Sequence, residues 1–420
     1  MQWTDRTALR VLALAISACA FQNDALASTH PAGHSVAKLD AQVAESKFVP
    51  RDGRTLLILG QDLDSVAGYV TGCERCPPPG GVTMYLGFYR LLDAASNYGG
   101  LGEDPEGRSA PDADWGAGIT SAARAARTYS HSALVLGLDI SNGERPDGLA
   151  QIARGEHDDK IRRLGKFCAS QSRPIYLRIG YEFDGIWNQG YQNHQQYQAA
   201  YRRIVDVMRA SGAANVAYVW QASASPLDDI LEGGVRERIQ DWYPGPSYVD
   251  WMALSWFLPP EAHPTASKVQ PPTQRELANE LVAFARREGK PVMIAESTPQ
   301  GYDVTELSRA NISPIWNGPA GANVVARSGD QIWNEWYQPL FDYIGANRDV
   351  IRALAYINAR WDDQSMWSTP YANGYWGDSR IQANETIETR WLREIGATPW
   401  LHGGASLFDA LGYSSVTADK

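Results

Sequence analysis

The 420-residue sequence has few of the features that would place it outside the ordinary globular proteins. No long Lys/Arg run occurs, and the formal net charge is -10, so there is no electrostatic footprint for nucleic acid. Past the N-terminus no stretch is long and apolar enough to span a bilayer, which excludes a transmembrane helix. No Gly-x-Gly-x-x-Gly turn follows the first apolar run, and no Gly-x-Ser-x-Gly elbow is found. A dinucleotide fold and a serine-hydrolase site therefore lack their signatures. The 7 His supply no ligand set for a metal, so neither metal nor cofactor is expected.

Cysteine is scarce as well, with 4 in the chain. Cys73-Glu-Arg-Cys76 has the spacing of a redox or zinc knuckle, but no second Cys/His pair accompanies it. In an oxidising compartment the simpler expectation is a disulfide between two of Cys73, Cys76 and Cys168, with the pairing left open. The fourth, Cys19, lies in an export-like leader. Arg6 and Arg10 precede the apolar run Val11 to Phe21, and Ala25-Leu26-Ala27 offers a small-x-small cleavage site. Residues 1–27 are thus expected to be a signal peptide, and the protein secreted or periplasmic. Ile16-Ser17-Ala18-Cys19 also fits a lipoprotein box, the minority reading, which would lipidate Cys19 and anchor the chain at the outer membrane.

What the sequence has in plenty is aromatic surface, with 15 Trp and 20 Tyr. A buried indole N–H needs a partner, so this is more Trp than a core asks for, and aromatic faces stack on the C–H faces of sugars. After a polar segment at 28–53, eight short apolar runs recur: Thr55 to Leu59, a weaker Val82 to Tyr89, Ala133 to Ile140 and 174 to 179. Val216 to Trp220, Val249 to Trp256, Pro291 to Glu296 and Ile351 to Ile357 complete them. Helical periodicity fills several gaps, at Asp158 to Ala169, Tyr197 to Ala210 and Arg275 to Arg287. Eight buried strands alternating with helices predict an α/β protein, a (β/α)8 TIM barrel over residues 54–405, with a C-terminal tail at 406–420.

In such a barrel the chemistry collects at the C-terminal ends of the strands. Pooling those ends gathers Gln61 and Asp62, Asp139 and Asn142, Tyr181, Glu182 and Asp184, and Trp220 and Gln221. Ser255, Trp256 and Phe257, Glu296, and Asn358, Arg360 and Trp361 complete the pool. Two glutamates are placed alike, Glu182 after the fourth strand and Glu296 ending the seventh. An acid at the rim of a buried strand costs free energy unless it has partners and a task. Two carboxyls facing each other across a barrel mouth suit glycoside cleavage, one protonating the leaving oxygen and the other attacking or guiding water. Arg178, inside the fourth strand, could hold a carboxylate ionised or form a structural ion pair. Asn188, Gln221 and Asn358 could bind hydroxyls or cap strand ends. Trp187, Trp256, Trp316, Trp333, Trp336, Trp361, Trp367 and Trp376 are candidate sugar platforms, several of which are expected to be ordinary packing. The Pro- and Gly-punctuated stretches 302–338 and Ser365 to Asp378 read as long loops walling a cleft.

The segment Arg178-Ile-Gly-Tyr-Glu182-Phe-Asp-Gly-Ile-Trp187-Asn188, with Asp158-Asp159 on the preceding helix, resembles the acid/base segment of glycoside hydrolase family 26 and its clan A relatives. Val292-Met-Ile-Ala-Glu296-Ser-Thr-Pro is similar to the clan's nucleophile strand, Val249 to Phe257 to its sixth strand, and Trp361 to its aromatic floor. The resemblance spans residues 53 to 400. It implies a mannanase-like retaining β-glycanase without a cofactor, in which Glu182 is the acid/base and Glu296 the nucleophile. Their carboxyls would be about 5–5.5 Å apart. Asp62, Asp139, Arg178, Tyr181, Trp187, Asn188, Gln221, Trp256, Trp316 and Trp361 would contact substrate. The family usually has His before the acid/base, where this chain has Tyr181, which bears on the sugar more than on the reaction. A monomer acting within chains of a mannan or β-glucan is the expectation. An exo-acting enzyme, one trimming the cell's own exopolysaccharide, or a non-catalytic carbohydrate-binding barrel are the alternatives.

Overall fold

The computed structural model describes residues 43, 45–141, 147–185, 187, 188, 191, 193–225, 238–262 and 272–413. The signal-peptide and lipoprotein expectations, Cys19 and Asn142 all lie outside these residues.

Eight parallel strands form the barrel: β1 (Thr55–Leu59), β2 (Gly81–Gly87), β3 (Ala133–Asp139), β4 (Ile175–Ile179), β5 (Val216–Ala222), β6 (Trp251–Trp256), β7 (Val292–Ser297) and β8 (Ile351–Tyr356). Each pairs with the next in sequence, and β8 returns to β1 through the register Leu56↔Ala353 to Leu59↔Tyr356, which closes the sheet. The strands are near-continuous apolar runs because each is covered on both sides, by the barrel interior and by helices. The weak second run resolves into β2, which stops at Gly87, and Phe88–Arg90 turns away as a short 3-10 segment.

Helices cover the outside at α1 (Leu63–Gly72), α2 (Ala122–Thr128), α3 (Asp158–Ser170), α4 (His194–Ala210), α5 (Gln274–Glu288), α6 (Gln338–Ala346) and α7 (Glu385–Ile395). In α4 the buried side chains Tyr197, Tyr201, Ile204, Val205 and Met208 recur at helical spacing, so one stripe packs on the sheet. At α5 both ends are fixed by sequence: Thr273 and Glu276 form a capping box, and Gly289 takes the left-handed conformation that ends the helix. Near the active face, the loop after β7 holds a small antiparallel sheet of Tyr302–Asp303, Ser308–Arg309 and Val325–Ala326.

The opposite, N-terminal end of the barrel is plugged by the chain that leads into β1. The Tyr176 hydroxyl donates to the Phe48 carbonyl at 2.6 Å, the Trp251 indole to that of Lys47 at 2.7 Å, and the Arg352 guanidinium to those of Pro50 and Arg54 at 2.7 and 3.2 Å. Each polar tip reaching down through the core thus meets a backbone carbonyl, as burial requires. Residues 48–50 are buried, and Tyr413 of the C-terminal stretch packs edge-on to Phe48. Cys73 and Cys76 form a disulfide just past α1, leaving Cys168 free on the buried face of α3.

Candidate active site

At the C-terminal end of the barrel, neighbouring strands bring one polar group after another into the same layer. Tyr85 of β2, Gly137 of β3 and Arg178 of β4 are direct cross-strand partners, and Ser255 of β6 stands opposite Glu296 of β7. The residue at 137 must be small. A Cβ there would lie 2.6 and 2.7 Å from the Tyr85 ring and 3.4 Å from that of Tyr181. Into that space the two rings pack edge to face, 5.1 Å apart, and the Arg178 guanidinium lies 5.2 and 5.1 Å from their centroids.

Arg178 is fully buried and every side of it is engaged. It forms an ion pair with Glu296 Oε1, donates through Nε to Gln221 Oε1 at 2.6 Å, and reaches the Tyr85 hydroxyl at 3.3 Å. Gln221 Nε2 donates to Glu296 Oε1 and to Ser255 Oγ, each at 3.1 Å. Glu296 is therefore a carboxylate facing a guanidinium and an amide, with 8% of its surface exposed.

Glu182 is held differently. β4 ends at Ile179, and just past it both Gly180 and Glu182 have positive φ, 54° and 50°. For a glutamate this left-handed conformation is strained, and it turns the side chain back over the barrel mouth. Asn188 holds the turn by donating to the carbonyls of Tyr181 and Glu182 at 3.2 and 2.8 Å. The carboxyl accepts from Ser255 Oγ at 2.6 Å on Oε1 and from Trp187 Nε1 at 2.9 Å on Oε2. Burial first, and then the charge of Glu296, pushes its pKa well above the usual carboxyl range, against the pull of Ser255. Ser255 and Gln221 bridge one carboxyl to the other. The arrangement supplies a proton donor and a charge-paired nucleophile or base in one water-poor site.

Of the residues expected at the site, Arg178, Tyr181, Glu182, Trp187, Asn188, Gln221 and Glu296 converge. Asp139 ends β3 beside them, accepts from the Ser141 amide at 2.7 Å, and has its carboxyl pKa raised by burial. Four others are engaged with other partners. Asp62 caps α1, accepting from the Asp64 and Ser65 amides at 2.9 Å, and Gln364 donates to it at 3.2 Å, so its oxygens are engaged. Trp256 is fully buried against Tyr343 of α6, because Ser255 takes the inward position of β6 and its neighbour must point outward. Trp316 is buried with Leu258 and Ile312 in a separate small cluster. Trp361 is 1% exposed, stacked against the also buried Trp376 at 4.4 Å and bonded through its indole to Ser379, so the partly exposed Trp367 is the outermost ring of that aromatic group. Sequence reasoning missed Tyr85, since a tyrosine in mid-strand looks like core. Ser255 it pooled without a role. Among the described residues, no group of three or more His, Cys, Asp or Glu could hold a metal ion.

Residues 155–296, from before β4 to Glu296, match the family model for glycosyl hydrolase family 26. A β-1,3-xylanase from a Vibrio species is 33% identical over 407 residues, covering 95% of this chain and 73% of the relative. One from an Alcaligenes species is 32% identical over 383 residues, with 90% and 71% covered. Among solved structures, a β-mannanase from Bacteroides ovatus superposes with a TM-score of 0.50 at 13% identity, covering 90% of this chain and 98% of that one. That likeness is one of fold, and it agrees with the barrel described above.

Proposed function

Since the chain belongs to glycosyl hydrolase family 26, a family of β-glycan hydrolases, we propose that it is a secreted, endo-acting β-glycanase working by retaining double displacement. Glu182 is the acid/base and Glu296 the nucleophile. One observation carries the assignment of roles: Arg178 and Gln221 both donate to Glu296, whereas Glu182 sits in a pocket where burial and a neighbouring negative charge favour its protonated form. Glu296 can then attack the anomeric carbon while Glu182 protonates the departing oxygen. The proton has by then left with the departing sugar, and because esterified Glu296 carries no charge, Glu182 stays ionised and takes a proton from the incoming water, which attacks the anomeric carbon and frees Glu296.

For the substrate, a mannan or β-glucan type of backbone follows from the family resemblance. The two relatives named β-1,3-xylanases put β-1,3-xylan first among the polymers to test. Tyr181 next to the acid/base supports a sugar other than mannose. The exposed Trp187 and the partly exposed Trp367 offer aromatic faces on which residues of a chain could lie. The test is a screen of purified protein against β-1,3-xylan, β-1,4-xylan, mannan and β-glucans, read by product length. Short oligosaccharides appearing throughout the polymer support endo action, and release of one terminal unit at a time shows an exo enzyme. Binding of every polymer without cleavage of any would refute the enzymatic assignment. Secretion is tested by the N-terminal sequence of protein recovered from the medium or periplasm, with cleavage after Ala27 expected and lipidation at Cys19 the contrary result.

A further inference from the structure

The bridge between the two carboxyls has a direction, and the chemistry of its donors fixes it. Arg178 Nε can only donate, so the Gln221 atom facing it at 2.6 Å is the carbonyl oxygen, and the atom facing Ser255 and Glu296 is the NH2 group. An NH2 group likewise only donates, so Ser255 Oγ accepts from it, and the hydroxyl proton goes to Glu182 Oε1 at 2.6 Å. Were Oε1 itself protonated, the hydroxyl proton of the fully buried Ser255 would lose this acceptor, at the cost of an unsatisfied buried donor.

We propose that Ser255 is a positioning residue which, oriented by Arg178 through Gln221, confines the proton of Glu182 to Oε2 and keeps that carboxyl acidic enough to release it. Oε2 is the oxygen touched by Trp187, which at 47% exposed marks the open side of the carboxyl. The proton is thereby presented toward the cleft rather than toward the barrel interior. The same guanidinium that pairs with Glu296 sets the donor order reaching Glu182, so the two carboxyls are oriented by one hub. The inference rests on the roles proposed above for the two glutamates, and it adds the path by which one acts on the other.

The variant Ser255→Ala removes the donor to Oε1, so the ionised form of Glu182 loses a charge-assisted hydrogen bond and its pKa rises by about one unit. That rise is read in two ways. Titration of the Glu182 carboxyl carbon by 13C NMR, assigned through Glu182→Gln, needs no substrate. The basic limb of kcat/KM on the polysaccharide found by the screen should move up by the same amount, because a general acid fails as pH rises through its pKa. KM should stay within about twofold and kcat should fall about tenfold, as for a group acting on proton transfer rather than binding. Ser255→Thr, which keeps the hydroxyl, should restore the wild-type titration. A folded Ser255→Ala protein whose Glu182 titrates as in the wild type overturns the inference, whatever its activity. An NMR shift in a protein that cleaves no glycan would instead leave the network in place and remove the proposed function.

Discussion

Gly137→Ala should damage the site while adding only one methyl group to the protein. The new Cβ falls 2.6 Å from Cδ1 and 2.7 Å from Cε1 of Tyr85, well inside contact distance, and 3.4 Å from Tyr181. Tyr85 has no slack with which to yield, since its ring lies against Arg178 and Tyr181 and its hydroxyl meets the Arg178 guanidinium. Overpacking of this kind costs about 1–3 kcal/mol, a fraction of the 5–15 kcal/mol typical of a domain, so the barrel should still fold. Activity should suffer more than stability. A displacement of Tyr85 passes to Arg178 and so to Glu296, and misplacing a reacting group by about 1 Å can cost on the order of 100-fold in rate. The assay is thermal unfolding beside kcat on the polymer that the wild type cleaves. Adding Tyr85→Leu should relieve the clash and recover the unfolding midpoint without recovering kcat, because the Arg178 contact stays lost. A Gly137→Ala enzyme with wild-type midpoint and wild-type kcat would refute the packing argument.

Further outcomes follow from other parts of the molecule. Arg178→Met should leave Glu296 buried without its cation and cost about 3–5 kcal/mol, measured by denaturant unfolding, with little hydrolysis remaining. The basic limb of kcat/KM should lie well above the ordinary glutamate range, since burial and Glu296 raise the Glu182 pKa and the acid form is lost as pH rises through that value; a limb near pH 4 would contradict it. Replacing Cys73 and Cys76 by Ser should cost about 2 kcal/mol or less, because the loop they close is short, and should leave kcat unchanged. Cys168, whose thiol burial pushes far up, should react with a thiol reagent only after unfolding.

The barrel was legible because parallel strands covered on both faces are written as unbroken apolar runs, and the glutamates were legible because an acid at the end of such a run has few reasons to be there. The same property hid the rest. A strand apolar on both faces carries no alternation to tell inside from outside, so Ser255 and Trp256 could not be sorted, and the tryptophan drew attention from the serine. Trp361 misled in a related way: its place after β8 was right, but an adjacent loop laid Trp376 over it. Asp62 looked like a site acid at a strand end and caps the following helix, because a polar residue in the short turn after a β-strand is often the one that must start an α-helix. Tyr85 could be found only through the register that sets it beside Gly137 and Arg178.

Retaining double displacement requires Glu296 to form a covalent bond to the sugar. Incubation with a 2-deoxy-2-fluoro glycosyl fluoride of the sugar identified by the screen, followed by peptic digestion and mass spectrometry, should place one adduct on Glu296 and none on the Glu296→Gln protein. A label on Glu182, or rapid turnover without an adduct and with inverted anomeric configuration in the product, would contradict it.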